Sequence, residues 1–447
     1  MDRENKVDKF IEHPKKALFI LAWPIAVGFL VQSLYNIIDT AFVGRIGAEA
    51  IAALTFAFPI FIFLIGINSG IGAGVNSRIS RYLGAKEKEK AENAAIHGII
   101  ISIVLAVAFI LILHPLLKPL FSLFGAESSV IALSYDYMSI VLLGTLFMFP
   151  AFTINSIFSA QGDTKVSMMI QLASLITNMI LDPLLIYVLG WGVKGAAIAT
   201  TASFAVGLVL AVYLLKKRSY LHLRRESFSY SKRIVKQIFK VGAPASLTMV
   251  LMSVSTIFLN RIISTFGTDN IAAYGISFRM ESIATFPIIA LSLALLTLVG
   301  MFKGAGKYEH IKEIVSYALK VGFVFTFLMG AVIFAVPHFL LRIFTNEQLL
   351  LGLGSSYLRI DVFSLPMVVV GMIVSRVMQA LGEGLPTFVI STLRLIVVAV
   401  PVAYLFVNYF NFGFVSIAFA MVLGALVSAI VAYIWLRIRF KRLVVLE

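Results

Sequence analysis

No cysteine occurs in the 447 residues, so disulfides, thiolate nucleophiles and thiolate metal ligands are all excluded. Charge is scarce too. Asp, Glu, Lys and Arg make up 13% of the chain against 60% hydrophobic residues, and the mean hydropathy is +0.98. A soluble globular domain does not tolerate that balance. The six histidines (His13, His97, His114, His222, His310 and His338) fall in loops or near expected helix ends and show no ligand spacing, which points to structural roles. The charged start runs straight into a long apolar segment, so no cleaved signal peptide is expected.

Acids are the scarcest charged group, 22 Asp and Glu against 37 Lys and Arg, leaving a net charge of +15. That excess invites a nucleic-acid reading, but its distribution defeats it. With twelve helices and both termini inside, 27 of the 37 basic residues fall in inner segments, 4 in outer loops and the rest within helices. This is the positive-inside pattern of a multi-pass protein of the cell membrane, with cytoplasmic termini and basic loops that favour anionic lipid headgroups. The expected partners are membrane lipids and small molecules, with no nucleic acid, and the expected assembled state is a monomer.

What the chain has in abundance is long apolar segments, such as Ile99–Leu113, Ile283–Val299 and Leu395–Val407, bounded by glycine and proline. They predict helices near 16–41, 48–78, 91–116, 130–159, 165–189 and 193–216. A second set falls near 233–264, 269–300, 311–336, 354–380, 385–408 and 413–436. The two sets are copies. At an offset of 220 residues Ala22-Trp23-Pro24 falls on Gly242-Ala243-Pro244, Gly84-Ala85 on Gly304-Ala305, and Gly162 on Gly382. Six spans per half is an even number, so both halves enter from the same side and the repeat is parallel. The expected fold is therefore an all-α membrane protein of twelve transmembrane helices in two pseudosymmetric six-helix lobes, residues 1–220 and 221–447, with Lys216–Lys240 as the polar linker.

The ionisable chemistry does not share this symmetry, since Asp39 maps to Leu259 and Asp182 to Val402. Gln32, Tyr35, Asn36 and Asp39 follow i, i+3, i+4, i+7 spacing and form one polar stripe on the first helix. Gln171, Ser174, Asn178 and Asp182 repeat the device on the fifth. Polar groups facing lipid are costly, so both stripes should turn toward the bundle interior or a watery cavity. Both helices run outward and both acids come late in them, which places the carboxyls at one depth. Such a pair suits proton uptake, or oxygen ligation of a small cation such as Na⁺ helped by Asn178 and Thr200. It also suits acids held structurally by neighbouring helices. Pro24 removes a backbone hydrogen bond early in the first helix and makes a bend point, although Pro244 occupies the equivalent place. The second half holds Arg279 and Glu281 in its eighth helix, Arg376 in the tenth and Arg394 in the eleventh. At i, i+2 the first two point apart, so each needs a partner elsewhere.

These motifs together resemble the multidrug and toxic compound extrusion (MATE) family, and most closely its archaeal and DinF-like branch. The resemblance rests on Pro24 with Gln32-Ser33-Leu34-Tyr35-Asn36-Ile37-Ile38-Asp39, Val43-Gly44-Arg45-Ile46-Gly47 and Gln161-Gly162-Asp163-Thr164-Lys165. It continues through Asn178-Met179-Ile180-Leu181-Asp182-Pro183 and Gly195-Ala196-Ala197-Ile198-Ala199-Thr200, and it covers both halves. It implies a V-shaped pair of lobes exporting cationic or amphipathic compounds in exchange for H⁺ or Na⁺, with no cofactor and no enzymatic activity. By resemblance Asp39 is the central coupling carboxylate, Asn178, Asp182 and Thr200 belong to the same first-lobe cation site, and Pro24 marks a hinge. Gln32, Tyr35 and Asn155 line the drug cavity, which Asn36 and Gln171 extend from the stripes. Some branches carry coupling acids in the seventh and tenth helices. Here the seventh has none, Asn260 being its nearest polar residue, and Asp361 lies too near the start of the tenth to match.

The nearest rival is a lipid-linked oligosaccharide or lipid flippase of the same superfamily, whose cavity would need basic residues for pyrophosphate. An intramembrane enzyme would need a nucleophile with its base, or clustered metal ligands, and the sequence offers neither. A channel fits the paired halves less well than alternating access does.

Overall fold

The computed structural model describes residues 6–44 and 46–444; the side chains of residues 33–41, 43, 48, 443 and 444 lie outside the described set. Among the described residues there are no strands, and twelve helices are long and apolar enough to cross a membrane. The first lobe comprises α1 (Pro14–Gly44), α2 (Ala48–Gly84), α3 (Lys88–Leu123), α4 (Ser128–Ala160), α5 (Thr164–Pro183) and α6 (Gly192–Arg218). The second comprises α7 (Lys232–Ile263), α8 (Thr268–Gly304), α9 (Tyr308–Ala335), α10 (Gln348–Ala380), α11 (Leu385–Asn408) and α12 (Ser416–Val444). Short helices precede α1 (Val7–Glu12) and α10 (Pro337–Leu341).

The breaks follow the glycine and proline punctuation, with two informative departures. α2 and α8 do not stop near 78 and 300 but continue to Gly84 and Gly304. Both glycines are needed where the lobes cross. A Cβ on Gly84 would overlap the carbonyl oxygen of Met301, and one on Gly304 would overlap that of Arg81. These two clashes are the same contact seen from each side of the repeat, because 84 and 304, like 81 and 301, differ by 220. Ser80 against Gly300 sits on the same pseudo-twofold axis. In lipid no hydrophobic force distinguishes helix–helix from helix–tail contact, so small residues that let backbones approach supply the packing energy.

Other interlobe contacts run from the stacked rings of Phe29 and Phe286 near mid-height to this crossing at the end bearing the basic loops. Between them lies a buried polar knot. Asn76 donates to Thr297 at 3.1 Å, and Thr297 donates across to the Ser159 carbonyl at 3.1 Å. The lobes are thus sealed against each other at the basic end.

The linker is anchored to the start of α3. Glu92 accepts hydrogen bonds from the His222 amide (2.8 Å) and the Ser227 hydroxyl (3.0 Å), and His97 Nε2 accepts from the Ser231 amide (3.0 Å). His97 therefore serves structurally.

Candidate functional site

α1 and α5 run side by side from the basic end outward, and two contacts bracket their shared face. At the lower bracket Gly28 lies against Gln171, whose Oε1 would be 3.3 Å from a Cβ there. At the upper one the Tyr187 hydroxyl donates to the Phe42 carbonyl, and the two rings meet edge-on with centroids 6.3 Å apart. Asp182 lies between the brackets, fully buried, and accepts a hydrogen bond at 3.0 Å from the side-chain amide of Asn178 one turn below. The two stripe positions thus meet as their i, i+4 spacing requires.

Pro183 ends the regular part of α5. The chain continues as a π-helical turn, Leu184–Val188, before the loop to α6. Proline cannot donate to the preceding turn, so a widened ladder here is the expected consequence. The insertion also aims Tyr187 at α1.

Thr200 sits on α6 at the height of Asp182, partly buried, with its hydroxyl donating to the Ala196 carbonyl of its own helix at 3.0 Å. Its remaining lone pairs stay open to a ligand. Gln32 and Gln171 are exposed. Asn155 does not join Asp182: it lies near the basic end of α4, where Ser167 donates to its carbonyl at 2.9 Å and its buried Oδ1 meets no donor. Gln171 is eleven residues from Asp182 on the same helix, about 16 Å at 1.5 Å per residue. Gln171 and Asn155 therefore lie below the acid, toward the basic end. Tyr35, Asn36 and Asp39 lie on α1, but their side chains are outside the described residues. Pro24 is buried within α1, whose helix continues through it.

The second lobe gathers residues that sequence reasoning left apart. Glu281 from α8, Asp361 from α10 and Arg394 from α11 come within electrostatic reach of one another. Arg376 instead donates to Gln379 at 2.9 Å, and Arg279 is exposed. The overlooked signal was depth. Glu281 and Asp361 each come thirteen residues after the outer end of their helix, and Arg394 fourteen residues before the outer end of its own.

The MatE family model matches the chain twice, over residues 24–184 and 244–405, and the two matches begin at the equivalent prolines. The chain belongs to the MATE family of transporters. As a MATE protein it is a multi-pass membrane transport protein rather than an enzyme. It is 28% identical over 432 residues to the multidrug export protein MepA of Staphylococcus aureus strain NCTC 8325 / PS 47, covering 96% of this chain and 95% of that one. MepA of Staphylococcus saprophyticus is equally similar. Among solved structures, a multidrug resistance MATE transporter of the MOP superfamily in an outward-facing conformation superposes with a TM-score of 0.94 at 32% identity, over 99% of each chain. A MOP superfamily transporter from Pyrococcus furiosus Vc1 (DSM3638) superposes with a TM-score of 0.94 at 31% identity, over 99% of each chain. For that protein a reversed polarity of the binding pocket has been taken to suggest a different function.

Proposed function

We propose that this MATE protein is an antiporter of the cell membrane that exports cationic or amphipathic compounds in exchange for H⁺ or Na⁺, with Asp39 and Asp182 as the coupling acids. The observation that carries the reading is the bracketed face between α1 and α5, with buried Asp182 inside it. Eleven residues separate Gly28 from Asp39, three helical turns to within roughly 20°. That register supports assigning Asp39 to the α1 face that meets α5, three residues before Phe42 as Asp182 is five before Tyr187. Asn178 and Thr200 complete an oxygen-rich cation site at the same height. Gln32, Tyr35, Asn36, Asn155 and Gln171 offer hydrogen bonds to a substrate further toward the basic end. Ion and substrate then need not overlap, provided that each favours a different arrangement of the lobes.

Loading the acids would alter α1 contacts above Pro24, the hinge, and rock the lobes about the contact now sealed at the basic, cytoplasmic end. The export of several drugs by the MepA relatives supports the substrate class. The flippase alternative is the weaker reading, because Arg376 is already engaged by Gln379.

The test is transport in proteoliposomes with a fluorescent cationic substrate and an imposed pH or sodium gradient. Wild-type protein is expected to couple substrate movement to one gradient, and Asp39→Asn to fold normally yet fall to the level of protein-free liposomes. Retained gradient-driven transport by that variant defeats the assignment.

A further inference from the structure

We infer that residues 6–16 form a releasable clasp across the two lobes, which holds the basic end shut and lets go before that end opens. The inference rests on the rocking of the lobes proposed above, not on which acids couple it.

The arm is a short helix, Val7–Glu12, joined to α1 at His13. A residue before proline is kept out of the helical region, and His13 accordingly sits at φ −133°, ψ 66°. The helical path breaks there, and the arm reaches residues of both lobes. On the first lobe Lys6 lies 3.5 Å from Asp163 and donates to the Gly162 carbonyl at 3.3 Å, while Asp8 pairs with Lys86 at 3.1 Å. Phe10 fills the space over Gly162, where a Cβ would come within 2.4 Å of its ring.

On the second lobe the short helix packs against α8. Lys15, at the start of α1, pairs with Glu313 of α9 at 3.0 Å and lies 5.5 Å from the centre of the Tyr317 ring. Phe19 meets the same ring edge-on, with centroids 6.3 Å apart. Val7 and Phe10 are buried and belong to one apolar cluster with Leu83 of α2 and Met301 and Phe302 of α8, at the level of the glycine crossing.

The duplication supports the same assignment independently. At the offset of 220, Glu313 and Tyr317 correspond to Asn93 and His97 of α3, and residues 6–16 to residues 226–236 of the linker. The linker holds those equivalents. Asn93 donates to the Ser229 carbonyl at 2.9 Å and accepts from the Ser229 amide at 3.3 Å. The His97 ring meets Phe228 and Tyr230, with centroids 5.1 and 6.1 Å away. Each stretch before a lobe's first helix thus reaches the third helix of the opposite lobe, as a pair of crossed arms.

The two arms differ in kind. The linker is continuous chain between the lobes, whereas the N-terminal arm holds the second lobe through non-covalent contacts. Its pair with Glu313 is half-exposed, and exposed ion pairs are individually weak and screened by salt. Drawing α9 away from α1 at the basic end breaks the Lys15–Glu313 pair and the Phe19–Tyr317 contact. The arm therefore sets how readily that end opens.

The test is labelling of the full-length protein in detergent by a maleimide, with Ser80→Cys as the reporter at the buried crossing. Lys15→Glu sets like charges against Glu313 and should label about two- to fivefold faster than the parent. The charge-swapped pair, Lys15→Glu with Glu313→Lys, should return to the parental rate. In a second experiment, Lys15→Cys and Glu313→Cys are joined by a short bis-maleimide. Bridging should stop substrate transport in proteoliposomes that the unbridged double variant still performs. Unchanged labelling in Lys15→Glu, no recovery in the swapped pair, or full transport after bridging overturns the inference. Labelling needs no ion gradient, so it judges the clasp even where the coupling assignment fails.

Discussion

Asn178 and Asp182 show what one helical turn accomplishes when its outer neighbours are lipid. A buried carboxyl with no donor loses solvation that nothing restores, and Asn178 supplies that donor from 3.0 Å away. Removing it costs about 1–3 kcal/mol by the usual penalty for an unsatisfied buried polar group. Asn178→Ala should therefore lower the melting temperature in detergent and weaken the response to the coupling ion, while Asn178→Ser should recover part of both. An unchanged melting temperature and ion response in Asn178→Ala would show that the amide supports nothing. This pair was legible in the sequence because i, i+4 spacing fixes it. The Glu281–Asp361–Arg394 cluster was not, because its three residues sit on three helices. Their depths can be counted along the chain, but which faces turn toward each other depends on how α8, α10 and α11 pack.

At the level of helices, the punctuation placed all twelve spans, with ends that differ by up to about eight residues at α3, α10 and α12, and it erred instructively where a glycine has a second use. Gly84 and Gly304 read as breaks in a single chain, since glycine disfavours helix. In the folded protein they are the last residues of α2 and α8, which extend that far and cross there backbone to backbone. The requirement comes from the other lobe, so local sequence cannot display it. Gly84→Val should prevent the seal from closing and favour the state open at the basic end. The cysteine-free chain makes this measurable. A cysteine at Ser80, a buried residue, should resist a membrane-impermeant maleimide in the parent and react once Gly84 is replaced. Equal protection in the two proteins would show that the crossing does not gate access.

For the whole molecule, duplication gives a scaffold with one axis, and the ionisable groups break its symmetry. The axis runs through Ser80 and Gly300, and the mutual Gly84–Gly304 contact follows from it. Asp39 and Asp182 of the first lobe map to Leu259 and Val402, and Glu281 and Asp361 of the second map to Phe61 and Val141. The acids thus come at different depths along the helices of the two lobes, near the outer end in one and at mid-height in the other. In the proposed exchange, loading of the first-lobe acids would rock the lobes about the sealed contact.

Linkage supplies the most direct measurement of that exchange, because an ion and a substrate that favour different conformers must weaken each other's binding. Equilibrium binding of a fluorescent cation to the detergent-solubilised protein should weaken as either protons or sodium are raised. The dependence should vanish in Asp39→Asn combined with Asp182→Asn. Wild-type affinity indifferent to both ions, or an undiminished dependence in the double variant, would contradict the account.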